Sequence, residues 1–147
     1  MTPEVFIKKW KDNKLSERAG AQQHFLDLCE LLGVDKPADP DNYCFERGAR
    51  RTGADRGWAD VWKRHCFAWE YKAPGANLDA ALKQLMTYAL ALDNPPLLVV
   101  SDRLTIVIHT HFTGAPSEIH TIALADIGTA ENLKKLGWLF RDRKSVV

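Results

Sequence analysis

The stretch GWADVWKRHCFAWEYKAP, Gly57 to Pro74, places Asp60, Glu70 and Lys72 inside two aromatic runs. WADVWKR and CFAWEYK are rich in residues that suit a pleated, half-buried surface, and a tight link falls near His65. If the runs pair as an antiparallel hairpin about His65, residues whose numbers sum to 130 face each other, and Asp60 lies opposite Glu70. Side chains alternate along a strand, so Asp60, Glu70 and Lys72 project from one face. Ala59, Val61, Phe67, Trp69 and Tyr71 occupy the other, which reads as core.

Directly opposed side chains have Cβ atoms about 4.5–5.5 Å apart, and two like charges at that range repel. A divalent cation between them reverses the sign. Mg²⁺ prefers one or two carboxylates and fills its shell with waters and phosphate oxygens. Lys72 lies two residues on, within reach of the same phosphate. The plainer reading is a surface face where Asp60 or Glu70 pairs with Lys72. Spacing alone leaves both open.

Upstream, Thr2 can cap a first helix, with Pro3 at its first position. Ser16 can cap a second, along which Ala21, Phe25, Leu28, Cys29 and Leu32 recur at helical spacing until Gly33. VDKPADPDN is a loop, YCFERGAR a short strand and TGADRG a turn. Downstream, ANLDAALKQLMTYALAL reads as a helix capped by Asn77. PPLLVVSD, RLTIVIHTHF and EIHTIAL read as strands, and Asp126 to Trp138 as a closing helix. This order predicts an α/β layer fold with a central mixed β-sheet flanked by helices.

The chain has 147 residues, 46% hydrophobic and 27% charged, which suits one domain of ordinary globular make-up. No apolar run approaches the roughly 20 residues that span a bilayer. MTPEVFIKKWKDNK lacks the apolar core of a signal peptide, so a soluble, cytoplasmic protein with no membrane partner is expected. Cys29, Cys44 and Cys66 show no CxxC spacing and read as reduced core residues. The net charge of +1 does not by itself announce a nucleic-acid binder. Arg47, Arg50, Arg51, Arg56, Lys63 and Arg64 do cluster, either as a DNA-binding patch or as a solvated face with Asp55.

Asp60, nine residues, then Glu70-Tyr71-Lys72 resembles the PD-(D/E)xK nuclease motif, with the proline of the name absent. Gln84-Leu-Met-Thr-Tyr88 resembles the QxxxY element of the RecB-like branch, its two polar residues on one helix face. More closely, SERAGAQQHFLDLCELLGV (Ser16–Val34), YCFER (Tyr43–Arg47) and ADVWKRHCFAWEYK (Ala59–Lys72) are similar to the N-terminal nuclease domain of MmeI-like (type IIG/IIL) restriction-modification enzymes. The similarity runs from about Ser16 to the closing helix.

That resemblance implies a restriction-endonuclease-like PD-(D/E)xK core. It implies Asp60, Glu70 and the backbone carbonyl of Tyr71 as ligands for Mg²⁺, with Mn²⁺ as a substitute, and Lys72 as the catalytic lysine. Glu17, Gln84 and Tyr88 would be accessory residues, and a favourable helix N-terminal charge is the plainer role for Glu17. The whole chain, 1–147, would be one nuclease domain: a helical part over 1–34, a catalytic α/β core over about 43–124, and a helix over about 126–140. LGWLFRDRKSVV resembles the start of the family's helical spacer, so the chain looks like an excised N-terminal domain.

The implied substrate is double-stranded DNA, cut by Mg²⁺-dependent hydrolysis of phosphodiester bonds to leave a 5′-phosphate and a 3′-hydroxyl. Methyltransferase and target-recognition domains of the same long chain would supply specificity and use S-adenosylmethionine. Transient dimerisation on DNA would give a double-strand break. The alternative is a catalytically inactive nuclease-like module for DNA binding or scaffolding. A zinc-dependent structural module using His109 and His111, with His120 on a neighbouring strand, is a further rival. Trp58 and Trp62 flank Asp60 and read first as packing residues, then as DNA contacts.

Overall fold

Helix caps divide the chain where the sequence places them. The structure is a computed structural model and describes residues 1–48, 58–112 and 114–141, apart from the side chains of residues 17 and 18. Thr2 Oγ1 accepts from the Val5 amide and opens α1 (Pro3–Lys11). Ser16 Oγ accepts from the Ala19 amide at the start of α2 (Glu17–Leu32). Asn77 does the same for α3 (Leu78–Thr87), and Thr129 for α4 (Ala130–Trp138). Each cap satisfies an amide that the first helical turn leaves without a partner. Gly33 ends α2 at φ 68, a left-handed conformation that costs glycine little. The closing helix starts later than expected: residues Leu124–Asp126 form a short 3₁₀ turn, and the Thr129 cap sets the start of α4.

Six strands form one sheet: β1 (Tyr43–Arg47), β2 (Ala59–Lys63), β3 (Phe67–Tyr71), β4 (Leu97–Ser101), β5 (Thr105–Thr110) and β6 (Ile119–Ala123). Their order across the sheet is their order in the chain. Every neighbouring pair is antiparallel except β3 and β4, which are parallel. A parallel pair needs a crossover, and α3 supplies it. This is the α/β architecture with a mixed sheet that the sequence predicts.

The β2–β3 register also agrees with expectation. Val61 faces Trp69, Trp62 faces Ala68 and Lys63 faces Phe67, so each pair sums to 130. His65 takes φ 65 in the connecting turn.

Both faces of the sheet are packed. Over one, α1, α2 and α4 bury Phe6, Trp10, Phe25, Leu28 and Leu136 against Val61, Phe67, Trp69, Tyr71, Val99 and Ile108. Phe25 meets Trp69 edge-on at 5.3 Å between ring centroids. Over the other, α3 packs Ala81, Leu82 and Leu85 onto Ala59, Trp62, Ala68, Leu98 and Val100. Each fully buried large side chain stabilises by about 1.5–3 kcal/mol. The expectation of one packing face and one charged face therefore needs correction. The face that carries Glu70 is apolar along most of its length, and Ala59 packs there rather than beside Val61. Alternation holds only along a regular ladder, and the β2–β3 ladder stops at Val61–Trp69. Cys29 and Cys66 are buried and Cys44 is half-buried; all three are free thiols.

Candidate active site

Asp60 is the second residue of β2, Glu70 the fourth of β3, and Lys72 the first residue beyond it. Past the Val61–Trp69 pair the strands share no further rung. There the Asp60 carboxylate takes the Tyr71 N–H instead, with Oδ2 2.7 Å from the amide nitrogen. On the far edge of β3, the Lys72 N–H donates to the Ser101 carbonyl at 2.8 Å and holds the strand end to β4. Glu70 and Lys72 share a face, with Nζ 3.8 Å from Oε1. Their side chains are 13% and 22% exposed, so a substrate can still reach them. The structure thus gathers the three sequence candidates at one end of the sheet: Glu70 and Lys72 touch, and Asp60 binds the residue between them.

Tyr71 points away from that group, as alternation requires, and is 1% exposed. Its hydroxyl meets His24 Nδ1 of α2 at 2.8 Å. Burial raises the phenol pKa well above its ordinary value, and the Asp60 charge adds to the shift. Burial also lowers the His24 pKa to about 3, helped by Arg103 and opposed by Asp27, so the ring is neutral. Asp27 is buried on the same helix and accepts from Trp10 Nε1 at 3.0 Å and Gln23 Nε2 at 2.8 Å, with Lys9 Nζ 2.8 Å away. Arg103 comes from the β4–β5 turn at φ 76 and donates Nη1 and Nη2 to the Leu15 carbonyl. Reading α2 for its apolar residues missed His24 and Asp27. The signal was present, because His24 falls between Ala21 and Leu28 on the buried stripe.

Gln84 is exposed on α3, and Tyr88 is that helix's half-buried C-cap, packed against the second core. Glu17 is the first residue of α2, and its side chain lies outside the described set, as do Arg50, Arg51 and Arg56 altogether. Lys63 sits at the opposite end of β2 from Asp60, about 10 Å along the strand. Its ammonium lies 5.0 Å from the Tyr43 ring, in a cavity shared with Gly33 and Phe140. Arg64 serves the fold: it donates to the Asp41 carbonyl and reaches Asp93 Oδ2 at 3.0 Å. Arg47 lies 4.4 Å from the Trp62 ring and donates to the Pro40 carbonyl.

Trp62 is fully buried, and its Nε1 donates to the Leu92 carbonyl at 2.8 Å, which makes it a packing residue. Trp58 is half-buried against the same core. The three-histidine zinc reading is overturned. His109 and His111 have ring centroids 6.5 Å apart, but His120 pairs with Ile108 and turns its ring to Trp138. Among the described residues no group of three His, Cys, Asp or Glu side chains is placed to hold a metal. Burial lowers the His109 pKa, with His111 contributing.

A mixed sheet with helices on both faces, which carries Asp60, Glu70 and Lys72 at the end of its central hairpin, is a restriction-endonuclease-like α/β core. The chain belongs to the family of MmeI N-terminal domains: residues 1–144 match the family described as "MmeI, N-terminal domain". No curated protein matches. Among solved structures, a chain in a cryo-electron-microscopy structure of a DrdV–DNA complex shares the fold, with a TM-score of 0.52 and 20% sequence identity. The match covers 98% of this chain and 14% of that one, so the protein spans a small part of its neighbour's length. No helix among the described residues is long and apolar enough to cross a membrane.

Proposed function

We propose that this domain is a Mg²⁺-dependent DNA endonuclease that hydrolyses phosphodiester bonds. In this reading, methyltransferase and target-recognition domains of a longer chain supply its sequence specificity. The observation that carries the reading is the Asp60–Tyr71 bond beside the Glu70–Lys72 pair. Two carboxylates from adjacent strands meet the one or two that Mg²⁺ takes when waters and phosphate complete its shell, so the residues present fit that ion. Asp60, Glu70 and the Tyr71 carbonyl would hold it, and Mn²⁺ would substitute. When bound, such a cation neutralises charge on the phosphate and makes water a better nucleophile at neutral pH.

The chain's own residues do the rest. The Tyr71 amide orients Asp60. Lys72 pairs with Glu70 at rest and turns its ammonium toward phosphate charge as that develops, a task worth most in a half-buried setting. Glu17, Gln84 and Tyr88 are accessory candidates in this reading, and Arg50, Arg51 and Arg56 are candidate backbone contacts. One site cuts one strand, so a double-strand break calls for two copies on the DNA. The family membership and the fold shared with a chain of the DrdV–DNA complex support double-stranded DNA as the substrate.

Calorimetry with Mn²⁺, alongside nicking of supercoiled plasmid, tests the assignment. The parent chain should bind the ion, and Asp60→Asn and Glu70→Gln should not. Equal binding in all three sinks the reading. A chain that binds DNA, takes no ion and cuts nothing is the inactive module instead.

A further inference from the structure

Tyr71 is gripped from both sides. Its amide donates to Asp60 Oδ2 at 2.7 Å, and its hydroxyl meets His24 Nδ1 at 2.8 Å. The first contact replaces a ladder rung, because β2 and β3 pair no further than Val61–Trp69. On the β2 side, therefore, regular main-chain pairing does not set the position of Tyr71. On its other edge Tyr71 pairs with Ser101 of β4, and the tyrosine ring is a further handle on it.

The His24 ring is fully buried, edge-on to Phe6 at 5.2 Å, Trp10 at 5.1 Å and Tyr71 at 5.4 Å. Its Nε2 has no hydrogen-bond partner. A buried polar atom without a partner costs more than a typical hydrogen bond returns. An apolar pair of similar shape would serve stability as well. What the His24–Tyr71 bond adds is direction.

Its frame is fixed. The Arg103 guanidinium reaches from the β4–β5 turn to the Leu15 carbonyl just before α2, and it fills the space where Gly20 lacks a Cβ. The helix is thus tied to this end of the sheet at a second point.

We propose that His24 is a positioning residue for the Asp60–Glu70–Lys72 group. It acts through the Tyr71 hydroxyl to fix the main chain that holds Asp60; this rests on the metal-dependent reading above. Groups that orient a ligand from behind typically account for about tenfold or more in metal affinity.

The experiment compares Tyr71→Phe, His24→Leu, their double variant and His24→Asn, whose amide returns a polar atom near the Nδ1 position. Mn²⁺ affinity is read by calorimetry, which needs no turnover, with kcat and KM for DNA measured beside it. Tyr71→Phe and His24→Leu should each weaken Mn²⁺ binding about tenfold and lower kcat at constant KM. The double variant should be no worse than either single one, and His24→Asn should recover part of the loss. Tyr71→Phe removes one oxygen and keeps the ring, so it carries the test if His24→Leu does not fold. Parental Mn²⁺ affinity and kcat in Tyr71→Phe, or fully additive losses in the double variant, would overturn the positioning role and leave the site assignment standing. If Asp60→Asn binds Mn²⁺ as the parent does, the site assignment fails and the positioning role goes with it.

Discussion

Asp60 stands at the end of the β2–β3 ladder and closes it with its side chain, accepting the Tyr71 amide at 2.7 Å. One carboxylate oxygen thus does the work of a backbone carbonyl. Asp60→Asn keeps an acceptor there, whereas Asp60→Ala leaves the amide without one. Asp60→Asn should unfold in urea close to the parent midpoint, and Asp60→Ala should lose about 1–3 kcal/mol. Equal stability of the two variants would mean that this bond contributes nothing to the fold.

Lys72 neutralises Glu70 at rest, and an incoming cation competes with it for the same carboxylate. Lys72→Met should therefore bind Mn²⁺ at least as tightly as the parent, while strand cleavage falls by about a hundredfold or more. Weaker Mn²⁺ binding in this variant would place Lys72 on the side of ion binding instead.

His24 links stability to pH. Its folded pKa of about 3 lies below the unfolded value of 6.5, chiefly because burial penalises the charged ring. The unfolded chain therefore takes up a proton first as pH falls. The stability from the neutral ring is complete above about pH 6.5 and is lost as pH drops toward 3, at about 1.4 kcal/mol per unit. The charged groups facing the ring are Arg103, which reinforces the shift, and Asp27, which opposes it. The urea midpoint should decline from pH 6.5 to 5, and His24→Asn should decline less. A flat parental profile over that range would show the imidazole charged in the fold.

Gly20 lies in mid-helix, where alanine is ordinarily better by about 1 kcal/mol. Here the sign should reverse. A Cβ at this position would collide with the guanidinium of Arg103, a residue only 9% exposed and bonded to Leu15. Gly20→Ala should lose about 1–3 kcal/mol by displacing it. Thermal unfolding checks this, and Gly20→Ala combined with Arg103→Ala should be relieved of the clash.

Trp62 is fully buried, so its removal should leave DNA affinity alone. Trp62→Phe strands the Leu92 carbonyl and should cost about 1–3 kcal/mol in stability. A filter-binding measurement with unchanged affinity, beside a lowered urea midpoint, separates packing from contact with bases.

Much of this was legible in the sequence because it depends on local chemistry. Caps at Thr2, Ser16 and Asn77, the stop at Gly33 and the period-2 runs around His65 each act within a few residues. Parity alone paired Val61 with Trp69 and turned Tyr71 away from Glu70. The rest depends on contacts far apart in the chain. Asp60 capping the Tyr71 amide follows from where a ladder stops, and no pattern of residue types marks that point. His24 meets Tyr71 across 47 positions, and Arg103 meets Leu15 across 88. Ala59 packs on the face opposite Val61 because it lies beyond the last β2–β3 rung, where alternation read from that hairpin no longer applies.

The parallel pairing of β3 with β4 has a consequence for how the chain folds. On either side of that seam, every strand pairs with its neighbour in the chain. Only the seam must wait for a crossover of 25 residues between Tyr71 and Leu97 to close, and pairings of long sequence separation form slowly. Glu70 and Tyr71 stand on the seam strand itself, and Lys72 is tied across it to Ser101. Asp60, Glu70 and Lys72 all belong to the first half, and the seam anchors the strand end that carries them. The slowest strand pairing of the sheet thus braces the candidate site rather than supplying its residues.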